Sequence, residues 1–224
     1  MSDVSKILNQ FLGSSATGGF AGGLAGGLTS SMLTSKKGRK LGKKALKMGG
    51  MAAVGAMAYG AFQKYNSAQS SATQTVHAPV QPALQPALQP APSGSSFMPA
   101  ENDMAGRDQL ELTLVRAMIA AARSDGTLDA KESQAIFQRI QTLELPQQGK
   151  DLLLEEMGRP VDMDAIVNAA NTPEVAAEIY VASLLAIDVD TVEEQSYLGM
   201  LAARLKLPRE LVTQLHEQVE NQVE

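Results

Sequence analysis

The four-residue repeat in "QPALQPALQPAP", residues 81–92, most narrows what this chain can become. Proline at that spacing removes amide donors and fixes φ, so neither a continuous helix nor a central strand can run through it. Such a backbone favours extended polyproline II at about 3.1 Å per residue, which gives the repeat a reach of roughly 37 Å. Ser, Gln and Ala carry the same character over residues 66–106, which read as a disordered Gln/Pro/Ala linker. It divides the chain into a head, residues 1–65, and a body, residues 107–224.

The two parts differ in charge. Residues 1–65 hold nine Lys or Arg against Asp3 alone, whereas residues 101–224 hold ten against twenty-three acids, giving formal charges of +8 and −13. There is no Cys in the 224 residues, which removes disulfides, thiolate nucleophiles and Cys-based zinc sites. Only His77 and His216 are present: His77 falls in the linker and His216 on a polar helical pattern, where a solvated histidine is expected. No phosphate-cradling glycine loop occurs, so the inventory favours a protein that is not an enzyme.

In the head, "GGFAGGLAGGL" places Gly19, Gly23 and Gly27 on one helical face, a glycine-zipper pattern that costs a soluble helix about 1 kcal/mol per Gly but allows close packing between helices in lipid. A second run, "MGGMAAVGAMAYGAF" (48–62), has no charge over fifteen residues, about 22 Å of helix against a hydrocarbon core of about 30 Å. Both read as membrane segments, with candidate spans at 16–35 and 41–63. The second needs Lys43, Lys44 and Lys47 to snorkel. Between them "KKGRKLGKKALK" (36–47) carries seven basic residues and no acid, and short basic loops of this kind stay on the inner side of a membrane. Spanning by the second run therefore puts the body outside, which in a bacterial inner membrane would be the periplasm; spanning by the first run alone returns it to the cytoplasm. Lipid is the expected partner, with self-association through the glycine face as an alternative role. Nucleic acid is not expected, because no aromatic-interleaved surface accompanies the basic cluster.

The body is all-α. Apolar residues recur at helical spacing in "LELTLVRAMIA", in "MDAIVNAA" and through "LLAIDVDTVEEQSYLGMLAARL", and no strand-like alternation competes. Helix starts are marked by Leu145-Pro146, by Thr172-Pro173-Glu174, by Thr191 with Glu194, and by Leu207-Pro208. About seven helices are expected. Met118, Met157, Met163 and Met200 fall at core-like positions. "LELP" (143–146) and "LKLP" (205–208) recur at one offset, which also carries Glu132 onto Glu194 and Asp129 onto Thr191, so the bundle reads as a pseudo-duplication.

Each half contains an acidic loop: "SDGTLDAKE" with Asp125, Asp129 and Glu132, and "AIDVDTVEE" with Asp188, Asp190 and Glu194. Two readings stand. Asp129 with Glu132 and Thr191 with Glu194 are N-cap pairs that satisfy free amides at a helix start and suit its dipole. That account leaves Asp125, Asp188 and Asp190 unused. If the duplication brings the loops together, six carboxylates converge and repel one another unless a cation neutralises them. Oxygen-only ligands select Ca²⁺ or Mg²⁺.

"AARSDGTLDAKE" and "AIDVDTVEEQSYL" resemble the two acidic loops of the TerB-like, tellurite-resistance-associated helical family, over roughly residues 107–223. The Gly-rich, basic, then apolar head resembles YebE-type bacterial inner-membrane proteins. The resemblance implies an all-helical body and makes the loop acids candidate ligands for a divalent cation; the second loop departs from the family's Asp-Gly pattern by having Val189 after Asp188. Together the features describe a membrane-anchored, non-catalytic TerB-like module of the bacterial inner membrane, binding a divalent ion or an envelope protein partner in a stress-related role. A carboxylate-metal hydrolase is the enzymatic alternative, built around Asp125 and Asp188.

Overall fold

A computed structural model of the chain describes residues 50–71, 89–124, 147–187, 189 and 191–223. Seven helices lie among them: α1 (Gly50–Ser71), α2 (Met104–Ala122), α3 (Gln147–Gly158), α4 (Met163–Ala169), α5 (Pro173–Ala186), α6 (Val192–Arg204) and α7 (Arg209–Val223). No strand occurs among the described residues, so the all-α expectation holds there.

The centre of the bundle is α5. Thr172 caps it, its side chain accepting from the Val175 amide, and Pro173 occupies the first turn where its missing N–H is harmless. Every residue from 176 to 186 is buried, the pattern of a helix surrounded on all sides. Helix α2 packs along one flank, α1 and α7 along another, and α6 and α4 close the remainder. Four expected helix starts match the structure: α3 follows Pro146, α5 follows Thr172, α6 follows Thr191 and α7 follows Pro208. Helix α6 ends in a Schellman turn, in which the Leu207 amide donates to the Ala202 carbonyl at 3.0 Å and the Lys206 amide to Ala203 at 3.1 Å. Lys206 takes the left-handed conformation that glycine usually supplies, with φ at 56°.

The structure gives no support to the membrane expectation for the second apolar run, and residues 41–49 of that candidate span lie outside the described residues. Residues 50–71 form α1, which lies in the protein core: Val54, Met57, Ala58 and Ala61 are fully buried, packed with α5 and α7. No helix among the described residues is long and apolar enough to cross a membrane. The physical reason is length and surroundings. An uncharged run of about fifteen residues is short for a bilayer, and a helix apolar on most of its faces is equally at home inside a protein. The small residues Gly55, Ala58 and Ala61 let α1 approach its protein neighbours closely.

The linker also differs from a free tether at its ends. Residues 66–71 are the last turns of α1, and residues 89–103 fold back as a strap over it. Within the strap Gly94, at φ 78°, lets the chain reverse, and its amide donates to the Met98 carbonyl at 2.8 Å. The turn buries Phe97 edge-on against Tyr59 and Phe62 of α1, each with centroids 5.5 Å away. Gly19, Gly23 and Gly27, with the whole first candidate span, lie outside the described residues, as do residues 72–88.

Candidate functional site

Of the six loop acids, Asp125, Asp129, Glu132, Asp188 and Asp190 lie outside the described residues, and Glu194 is placed. Helix α5 stops at Ile187, whose backbone is extended, and α6 starts at Thr191. The Glu194 amide donates to Thr191 Oγ1 at 3.2 Å, while the Thr191 amide and hydroxyl both donate to Glu194 Oε2, at 3.1 and 3.0 Å. This is the reciprocal capping box that the helix-start reading expects at this pair. Among the described residues no group of three or more His, Cys, Asp or Glu could hold a metal ion.

Between Asp188 and Asp190, Val189 has φ 57°, in the left-handed region. A β-branched residue there is a genuine outlier, costing about 1–2 kcal/mol. In the first loop the residue after the aspartate is Gly126, and glycine is the residue type to which that conformation is open at no steric cost. The second loop thus keeps, with a valine, a backbone shape suited to glycine.

The end of α2 that leads into the first loop borders a cleft of about 380 Å³, lined by Arg116 of α2 and Arg123 just after it, Glu156 of α3 and Arg159 just after it, and Asp162 at the start of α4. Arg116 Nε and Nη2 donate to the two oxygens of Glu156, both at 2.7 Å, and Arg159 Nη1 adds a third bond at 3.0 Å. The bidentate Arg116 guanidinium holds the Glu156 carboxyl below the usual carboxylate range, against the opposing effect of its burial. Arg123 instead ties down the free end of α3, its Nη1 donating to the Met157 and Arg159 carbonyls at 3.4 and 2.8 Å. The Asp162 side chain accepts from the Ala165 amide and caps α4. These charges are largely satisfied internally, so the cleft acts as a clamp joining α2 to α3 and α4.

Two further features were not anticipated from the sequence. His216, expected in solvent, is partly buried and shares a 2.9 Å hydrogen bond with the Tyr180 hydroxyl, whose pKa burial pushes up to about 12. Glu178, in the middle of α5, is fully buried with no hydrogen-bond partner on either oxygen. The signal for it was present as one carboxylate inside the otherwise apolar "VAAEIYVASLLA". The arginine clamp also had a signal, since Arg116 and Arg123 stand seven residues apart on one face of a helix.

Fold and site together define an all-α bundle around a buried central helix, with an acidic loop closed by a capping box. The chain belongs to the family described as "Protein of unknown function (DUF533)", a TerB-like family, which it matches over residues 18–219. It is similar to a Yersinia enterocolitica protein described as "Uncharacterized protein in ampR 5'region", with 33% identity over 104 residues, 46% of this chain and 75% of that one. No solved structure matches it.

Proposed function

We propose that this is a non-catalytic TerB-like module of the bacterial inner membrane whose acidic loops bind a divalent cation, Ca²⁺ or Mg²⁺. The observation that carries the reading is Val189. Strained backbone persists where the surroundings impose it and concentrates at functional sites, and this residue separates two aspartates at the position where the first loop has glycine. With Glu194 occupied as a cap, Asp188 and Asp190 are the ligands this loop contributes, and Asp125 leads the other set.

The anchor in this reading is the Gly-rich run 16–35. Helix α1 begins three residues after Lys47 and is seated in the bundle, and three residues reach at most about 11 Å. The basic stretch 36–47 and the bundle therefore share one side of any bilayer that the first run crosses. Its preference for the inner side draws the bundle with it.

The test of the ion is melting of the full chain. Free Ca²⁺ or Mg²⁺ at a hundredfold excess over Kd stabilises the folded state by about 2.7 kcal/mol relative to EDTA. Asp125→Asn and Asp188→Asn remove this increment, whereas Thr191→Ala lowers the baseline and leaves the increment in place. Identical curves in EDTA and in either ion, with no heat in direct titration, refute the metal reading.

A further inference from the structure

Glu178 sits where three parts of the molecule meet. A Cβ placed on Gly55 of α1 would lie 3.0 Å from Glu178 Oε1 and 3.1 Å from the Phe97 carbonyl oxygen of the strap, with the Met98 methyl 3.8 Å away. The carboxyl of α5 is thus roofed by a residue of α1 that lacks a side chain and by the strap's backbone. Neither oxygen has a hydrogen-bond partner, and the residue has no exposed surface.

We propose that Glu178 is a proton-operated latch for α1: as the neutral acid it lies in the seam between α5, α1 and the strap, and as the carboxylate it drives α1 and the strap off their seat. Every element packed around it leaves the negative charge unanswered. On α5 the charged neighbour is Glu174, one turn earlier and of the same sign. Between residues 50 and 63, α1 has no charged side chain, and Lys64 lies nine residues beyond Gly55, about 13 Å along the helix. The strap offers a carbonyl oxygen and a thioether methyl, and its acids Glu101 and Asp103 share the sign of Glu178. On the other flanks, Glu111 of α2 is buried, Glu194 of α6 serves its cap, and His216 of α7 bonds Tyr180. Burial first, and Glu174 second, push the Glu178 carboxyl well above its ordinary range.

An isolated ionised carboxylate is costly in such a place, and it escapes by neutralising or by reaching water. Two of the walls it meets, α1 and the strap, precede the rest of the bundle in the chain and can leave while α2 to α6 stay packed. The neutral acid, by contrast, carries no charge that the seam must desolvate. Because opening releases one proton, the opening constant of α1 rises up to tenfold per pH unit, until Glu178 ionises in the seated state as well.

The test is hydrogen exchange of the full chain between pH 5 and 9.5, comparing peptides of α1 with those of α2 and α5, and each with Glu178→Gln at the same pH to cancel the intrinsic rate. The expected result is that α1 loses protection relative to the variant by up to tenfold per pH unit, while the α2–α5 seam keeps its own. Glu178→Leu serves as a second neutral variant should Glu178→Gln fail to fold. A ratio independent of pH overturns the latch. So does an equal loss over α1, α2 and α5, because that describes whole-domain unfolding and not release of one helix.

Discussion

Two carboxyls on different helices respond to pH with opposite signs. Glu156, ion-paired with Arg116, has a folded pKa below its ordinary 4.5, so its contribution is present above that value and is lost as pH falls through the folded pKa. Glu178 has a folded pKa well above 4.5; its contribution is complete below that value and declines as pH rises toward the folded pKa. These two groups alone place maximal stability near the ordinary carboxyl value of about 4.5. Melting from pH 3 to 9 should show that Glu178→Gln flattens the alkaline limb only and leaves the acid limb as it was. Arg116→Ala should lower stability at neutral pH by about 2 kcal/mol in denaturant unfolding, because it removes the bidentate pair from a carboxylate only 4% exposed and leaves it the single Arg159 bond. The sequence marked Glu178 as a lone carboxylate in an apolar run, but it did not announce Glu156. Glu156 precedes Met157 in an ordinary polar helix, and its partner lies 40 residues earlier. Charge counting records such residues as bulk surface, and only the crossing of α2 and α3 turns them into a pair.

At the scale of elements, glycine separates what a helix prefers from what its neighbours allow. Gly199 in α6 has open space where a side chain would go, so Gly199→Ala should raise stability by about 1 kcal/mol in denaturant melts. Gly55→Ala gains the same helix propensity, yet must push aside a carboxyl and a backbone carbonyl at about 3 Å; the backbone cannot yield as a side-chain tip does, and the substitution should lower stability. Lys206→Gly relieves the left-handed turn after α6 and should be worth about 1 kcal/mol. Helix boundaries were the most legible part of the sequence, since Thr172, Pro173, Thr191, Glu194 and Pro208 act locally, through amides within a turn of themselves. What surrounds a helix was much less legible. The periodicity of α1 reports that its face is dry, and lipid and protein are both dry. Met200 shows the converse error: it falls at a core-like spacing but is 47% exposed, because α6 carries its buried residues Tyr197, Leu198 and Leu201 on the opposite face.

For the whole molecule, the division into a head, a linker and a body was drawn from composition, and composition cannot see that residues 50–71 and 89–103 complete the core of the helices beyond them. Of the proposed ion site, the sequence showed the capping pair Thr191 and Glu194 and the aspartates around Val189, while the left-handed backbone at Val189 went against its residue type and was invisible. A chain shortened to begin at Met104 loses α1 and the strap and uncovers apolar faces of α5 and α7. It should bind a hydrophobic dye and melt at a lower temperature than a chain beginning at Met48. The strap also turns residues 72–88 into a connection between two parts that already hold each other. One protease cut there yields fragments that separate on a denaturing gel but travel as a single particle under native mass spectrometry. Two separately expressed pieces, one ending after Ser71 and one starting at Gln89, should reassemble by fragment complementation, and α1 then becomes a peptide whose affinity for its seat can be titrated directly.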